Sequence, residues 1–371
     1  MTARDGAPPQ HLHEVAARVG ERLAAFLAGE RARWHEVDPA IDEPLRQLSE
    51  FVLGGGKRLR PAFCHWGWVA AGGDPDGVVG DRAVGHGAVG GGPVPDVVGA
   101  GAALEMLHCF ALIHDDVMDA SRVRRGAPTV HVQLADQHRR EGWSGDPDRY
   151  GEGGAILVGD MALVYADMLL GDVSPEAWRV FHEVRVELNV GQYLDLTAAA
   201  RRATDLATAR RIARYKTGTY TIERPLHLGA ALGGGLDRLG PALSAYGLPL
   251  GEAFQLRDDL LGAFGDAEVT GKPVGDDFRE GKATVLVALA AARAEPDQTA
   301  VLALVGRPDL DADQVAAIHR VLVATGAVDA VERSIAALHA EAVAALAAAD
   351  VTPVARQALV ELAGHVAWRD R

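Results

Sequence analysis

Cysteine is nearly missing from this chain: two residues in 371, Cys64 and Cys109, each inside an apolar stretch with helical spacing. Two isolated thiols build neither a disulfide scaffold nor a Cys-x-x-Cys zinc site. They suit buried thiols in a reducing, cytoplasmic setting. Aromatics are also scarce, at 5%, while Ala, Leu and Val dominate, which favours helix over strand. Positive charge is in deficit, and a net charge of −14 argues against nucleic acid as a partner. No N-terminal apolar h-region and no run of about 18 apolar residues is seen, so neither export nor a membrane span is expected. Gly-x-Ser-x-Gly and His-Glu-x-x-His are absent, which leaves hydrolase triads and zinc hydrolysis without support.

Lysine is the most informative shortage. Of 37 basic residues only Lys57, Lys216, Lys272 and Lys282 are lysine. Each sits beside Gly or Thr, in GGGKRLRP, KTG, TGKP and EGKAT. Lysine is a compact point charge on a flexible stem, and Arg cannot always replace it at a phosphate. Chance placement of four residues is the alternative.

What is present centres on Leu107–Asp119, an apolar helical run that ends in Asp115, Asp116 and Asp119. Asp115 and Asp119 are four apart and share a helix face. Like charges so placed cost helix stability, and half-burial costs more unless a cation neutralises them. A second acidic pair, Asp258-Asp259, follows Phe254-Gln255-Leu256-Arg257. Two such clusters suit a hard divalent cation, and Mg²⁺ usually keeps waters and holds substrate phosphates. The residues alone thus point to a Mg²⁺-dependent enzyme acting on diphosphates. Each feature has a plainer explanation: a solvated helix end for the first triplet, salt bridges for Arg124-Arg125, a surface turn for Gly54–Lys57. Glu105-x-x-His108 also matches half of a di-iron signature, but no second copy is found. His108 is then a pocket contact or a core histidine.

In organisation, one helical domain is expected over residues 11–371. A disordered N-terminus over 1–10 and surface loops over 72–95 and 137–153 complete it. Helical spacing covers 11–36, 41–53, 96–120, 154–172, 174–198 and 203–217, with the second acidic cluster inside 237–263. Residues 283–369 read as packing helices.

With these motifs in hand, the chain resembles the trans-isoprenyl diphosphate synthases, or polyprenyl synthetases, over nearly its whole length. The matching stretches are GGGKRLRP, HDDVMD followed by RRGAPTVH, GQYLD, KTGTY, FQLRDDLLGAFGD, and GKPVGDD with EGKAT. The resemblance implies an all-α, single-domain bundle around a deep central pocket, a homodimer, and three Mg²⁺ ions bridging the two aspartate motifs. By motif position, Lys57, Arg60, His108 and Arg125 would bind isopentenyl diphosphate. Arg124, Lys216, Thr217, Gln255, Lys272 and Lys282 would hold the allylic diphosphate. Asp115, Asp119 and Asp258 would be the principal metal ligands, with Asp116 and Asp259 in the same metal set. One departure stands out: the second motif commonly reads Asp-Asp-x-x-Asp, and its third position here is Gly262. Phe110 and the small Ala111, just before Asp115, would form a partial floor that limits the product to geranylgeranyl (C20) or farnesyl (C15) diphosphate.

Two rivals follow from the same motifs. A terpene cyclase shares the metal-assisted ionisation but has no use for the second anion site formed by Lys57, Arg60, His108 and Arg125. A non-catalytic subunit of a heteromeric synthase would not need intact aspartate motifs.

Overall fold

The structure, a computed structural model, describes residues 8–75, 96–201, 205–265, 275–282 and 284–369. Among these residues the only strands are Val123–Arg124 (β1) and Ala127–Pro128 (β2), an antiparallel pair. Everything else of regular structure is helical, as the composition predicts. The chain divides into two compact units. One combines Gln10–Arg179 with Pro225–Asp237; the other contains Val180–Arg224 and Arg238–Arg371.

The first unit is built on α1 (Gln10–Val37), α2 (Asp42–Leu53), α3 (Leu59–Ala70), α4 (Val97–Met118), α5 (Val130–Arg140) and α6 (Pro147–Leu170). α4 is apolar around most of its circumference, and Ala102, Leu104, Met106 and Leu107 are fully buried. A helix of that kind belongs inside a core. Its start is fixed by Asp96, whose side chain accepts from the Gly99 amide at 2.7 Å and from Arg22 at 2.6 Å. Among the described residues two helices, α4 and α6, are long and apolar enough to cross a membrane, but the apolar window of α4 is 72% buried within the protein. Close backbone packing joins α3 to α9 (Arg224–Leu232), since a Cβ on Gly229 would fall 1.9 Å from the Cys64 carbonyl oxygen.

The loop expected over 137–153 is much shorter. α5 runs to Arg140 and α6 begins at Pro147, leaving 141–146 as the connection. Asp146 caps α6 through the Asp148 amide at 2.9 Å, with Pro147 in the first helical turn where its missing N–H costs nothing. The first helix already includes Gln10, one residue inside the N-terminal stretch expected to be disordered. Residues 1–7, and 76–95 of the other expected loop, lie outside the described residues.

The second unit carries α7 (Pro175–Arg201, from Val180 onward), α8 (Leu206–Ile212) and a π-helical segment, Ala213–Glu223. It continues with α10 (Leu236–Phe264), α11 (Asp276–Glu280), α12 (Val285–Ala291), α13 (Pro296–Leu302), α14 (Ala312–Ala324), α15 (Ala327–Ala348) and α16 (Pro353–Trp368). Its core gathers Leu260, Phe278, Leu286, Ile318, Leu322 and Ile335. The π segment is squeezed on two sides. A Cβ on Gly191 of α7 would lie 2.4 Å from the Lys216 nitrogen, and one on Gly251 of α10 would lie 2.6 Å from the Gly218 Cα.

Candidate active site

The residues singled out from the sequence fall into two sets, one in each unit. In the first, α4 ends at Met118 and delivers Asp115 and Asp116, both buried, with Asp119 at its C-cap. The chain reverses through Ala120 at φ 52°, then through a two-residue turn, Arg125 at φ 53° and Gly126 at φ 76°. Positive φ at both central positions is what a tight antiparallel hairpin demands, and it strains the arginine. That turn sends the two arginines different ways. Arg124 Nε donates to Asp116 Oδ1 at 2.7 Å, and its Nη2 reaches Asp115 Oδ2 at 3.4 Å. Arg125 Nη1 donates to the Gly55 carbonyl at 2.5 Å, and its guanidinium lies 5.8 Å from the centre of the Phe51 ring.

Three non-glycine residues with positive φ occur among the described residues: Arg58, Ala120 and Arg125, all in this unit. Arg58, to which no motif assigns a role, precedes α3 and donates to Glu105 on α4 and to the Val52 carbonyl at 2.7 Å. Glu105 is therefore the buried counter-ion of an arginine, and the di-iron possibility is dismissed. Arg60 is buried and Lys57 is exposed. His108 is set among arginines. Desolvation first, then Arg60, Arg125, Arg124 and Arg58, hold its pKa well below the ordinary value of 6.5. It is a neutral imidazole among cations at neutral pH. Phe110 is buried and stands edge-on to His114 at 4.7 Å, with Ala111 half-buried beside it. His114 Nε2 lies 3.0 Å from the Ile156 carbonyl, in a space kept open by Gly159 of α6.

In the second unit the π segment presents Lys216 and Thr217. Lys216 Nζ donates to Asp195 Oδ2 on α7 at 2.6 Å, and Thr217 is half-buried. π-helical turns cluster at functional sites because they re-aim side chains within a helix. On α10, Asp258 Oδ1 accepts from Arg369 Nη2 at 2.6 Å. Arg369 is 1% exposed and lies 4.1 Å over the Phe254 ring. No motif marked it. Asp259 is more deeply set: Oδ1 accepts from Gln255 Nε2 at 2.6 Å and Oδ2 from the Val285 amide at 3.3 Å. Burial, then the charges of Asp277 and Asp258, push its carboxyl up to about 7 against the pull of those two donors. Gln255 thus holds Asp259. Lys282 Nζ pairs with Glu280 at 2.5 Å and lies 3.7 Å from Asp277. Lys272 lies outside the described residues.

The donor set suits Mg²⁺, being carboxylate oxygen throughout. Among the described residues no three His, Cys, Asp or Glu side chains converge to hold an ion alone. An ion that completes its shell with water and diphosphate does not need them to. At Gly262 the space a Cβ would fill is taken by a carboxylate oxygen of Asp277.

Comparison with known proteins identifies the family. Residues 42–322 match the family model described as Polyprenyl synthetase. The short chain isoprenyl diphosphate synthase of Methanothermobacter thermautotrophicus is 33% identical over 295 residues, 78% of this chain and 79% of its own. The nonaprenyl diphosphate synthase of Mycobacterium tuberculosis is 31% identical over 81% of this chain and 82% of its own. Among solved structures, geranylgeranyl pyrophosphate synthase of Corynebacterium glutamicum, complexed with isoprenyl diphosphate and magnesium, superposes with a TM-score of 0.87. It is 39% identical and covers 97% of this chain and 99% of its own. With the match extending over more than half its length, the chain belongs to the polyprenyl synthetase family.

Proposed function

We propose that this protein is a Mg²⁺-dependent prenyltransferase that condenses isopentenyl diphosphate with an allylic diphosphate and releases a short trans-prenyl diphosphate, geranylgeranyl or farnesyl. The observation that carries this is in the first unit: paired buried aspartates held by Arg124, next to arginines that surround a neutral histidine. Carboxylates for a cation and cations for an anion stand side by side, which is the requirement of a metal-diphosphate pair.

Asp115, Asp119 and Asp258 are assigned as the residues that would hold Mg²⁺. Asp116 and Asp259, deeper and already engaged by Arg124 and by Gln255 with Val285, are assigned to support them. Bound Mg²⁺ would supply positive charge to the departing pyrophosphate. Lys216, Lys282 and Arg124 orient the allylic diphosphate, each held in place by an acidic neighbour until substrate arrives. Arg60, Arg125 and Lys57 bind the second diphosphate, and neutral His108 offers it a hydrogen bond without adding charge. The apolar α4 face keeps water from the allylic cation, so that the double bond of the second substrate captures it, and the cation so formed loses a proton to the departed pyrophosphate to restore a double bond. A single catalytic domain over 11–371 is part of this reading.

Relatives differ in the product length their names carry, so length rests on Phe110, whose ring braces against His114 beneath the first aspartates. A homodimer is inferred from apolar stripes on two helices: Leu157, Val164 and Met168 on α6, and Val186, Val190 and Tyr193 on α7, all exposed. A reducing cytoplasmic location is supported by the two buried free thiols. The test is incubation of the purified chain with isopentenyl diphosphate and each allylic starter, followed by chromatography of the dephosphorylated products. Elongation that persists at the parental rate in Asp115→Ala and Asp258→Ala would refute the assignment, as would hydrocarbon release from geranylgeranyl diphosphate alone.

A further inference from the structure

Glycine at position 262 leaves the second aspartate motif with two carboxylates instead of three. Residue 262 lies one helical turn beyond Asp258, on the same face of α10. The space for a side chain there is already filled. A Cβ built on Gly262 would lie 2.1 Å from Oδ2 of Asp277 and 3.3 Å from its Cγ. The group in that space is therefore another carboxylate, brought in from α11 rather than from α10 itself. Its other oxygen stands 3.7 Å from Lys282 Nζ, whose closer partner is Glu280 at 2.5 Å. Asp277 thus turns one oxygen toward Lys282 and the other into the space beside Gly262. Asp258 lies one turn before Gly262 on the same face of α10, so the Asp277 carboxylate that occupies the Gly262 side-chain space shares that face with it. Carboxylates on one face are stabilised by positive charge, here Arg369 at Asp258 and Lys282 at Asp277, and a divalent cation shared by both would do so more strongly.

We propose that Asp277 supplies the third carboxylate of the second aspartate motif, with Asp258 and Asp277 together facing the cation that accompanies the allylic diphosphate. Only a diphosphate substrate brings such a cation to α10, so the assignment rests on the prenyl synthase function above. Glycine at 262 is then functional: it makes room for a carboxylate that arrives from elsewhere in the sequence.

The experiment is Mn²⁺ binding followed by electron paramagnetic resonance in the presence of inorganic pyrophosphate, on four forms: parental, Asp258→Asn, Asp277→Asn, and Asp277→Asn combined with Gly262→Asp. Asp277→Asn is expected to weaken Mn²⁺ binding about tenfold or more, the range seen when a group supporting a metal ligand is removed. The added Gly262→Asp is expected to restore most of it, because the Cβ at 262 collides only with the end of a flexible side chain. Metal-free melting temperatures of the single variant and the parent should agree. If Asp277 merely anchors Lys282, Asp277→Asn lowers the metal-free melting temperature and leaves Mn²⁺ binding unchanged, and the proposal is overturned. A folded double variant as weak as the single one also overturns it; should the double variant not fold, Asp277→Asn alone decides. If Asp258→Asn weakens binding and Asp277→Asn does not, only the Asp277 assignment fails. If neither does, the prenyl synthase function fails with it.

Discussion

Phe110 is the residue on which product length turns. Its ring is 9% exposed and packs edge-on to His114. Each helical turn along α4 spans about 5.4 Å, close to one isoprene unit. Replacement by alanine is expected to lengthen the main product by at least one unit, read by chromatography of the dephosphorylated alcohols; an unchanged length removes Phe110 from the floor. His65 carries a different prediction. It is buried against Trp66 and Trp68, and desolvation together with Arg18 and His11 on α1 lowers its pKa to about 4. Below an ordinary value near 6.5 the unfolded chain takes up a proton that folded His65 refuses. Stability should therefore fall as pH drops from about 6.5 to about 4, by roughly 3 kcal/mol from this group at full development. His65→Gln should reduce that slope in melting curves taken across the interval, while His108, shifted in the same direction, preserves part of it. Asp115, Asp116, Lys216 and Arg124 were legible as charged groups in motif-like settings, and the fold pairs Arg124 with the two aspartates and Lys216 with Asp195. Arg369 was not legible, because a lone arginine carries no sign of an aspartate 111 residues away. Asp277 was visible as a residue but not as an address, since only the fold carries it to Gly262.

At the scale of elements, close glycine contacts position the catalytic groups. The expected polar loop failed over 147–153 for the same reason. Gly151 and Gly154 lower helix propensity, yet α6 needs both to lie against α5: a Cβ at 151 would meet the His131 carbonyl at 2.2 Å and one at 154 would meet Leu134 at 2.6 Å. Packing overrode propensity. The π segment was equally hidden, because a 3.6-residue period read along a short stretch cannot register one extra residue per turn. Its dependence on Gly251 is testable. Gly251→Ala pushes against the Gly218 backbone and should cost about 1–3 kcal/mol in a thermal or urea melt. Since Lys216 and Thr217 ride on that segment, its KM for the allylic substrate should rise as well. Gly29→Ala is the contrasting case: on α1, nothing lies within 4 Å of the new Cβ, so the change should stabilise by about 0.5–1 kcal/mol. Equal effects of the two would show that backbone freedom, not the tight contact, sets the cost at 251.

For the molecule as a whole, half of the exposed large apolar side chains among the described residues lie on α6 and α7. Such concentration argues for burial against a second copy. Leu157→Glu with Tyr193→Glu should convert the protein to a monomer in analytical sedimentation; a parental sedimentation coefficient would place the interface elsewhere. Both cysteines are fully buried, and both belong to the unit that contains the Asp115 set; the unit with Asp258 has none. A thiol-modifying reagent is therefore a built-in clock for the breathing of one half alone, with no label to engineer. If pyrophosphate slows that clock in the parental chain but not in an Asp258→Asn chain, occupancy of one half is being felt by the other.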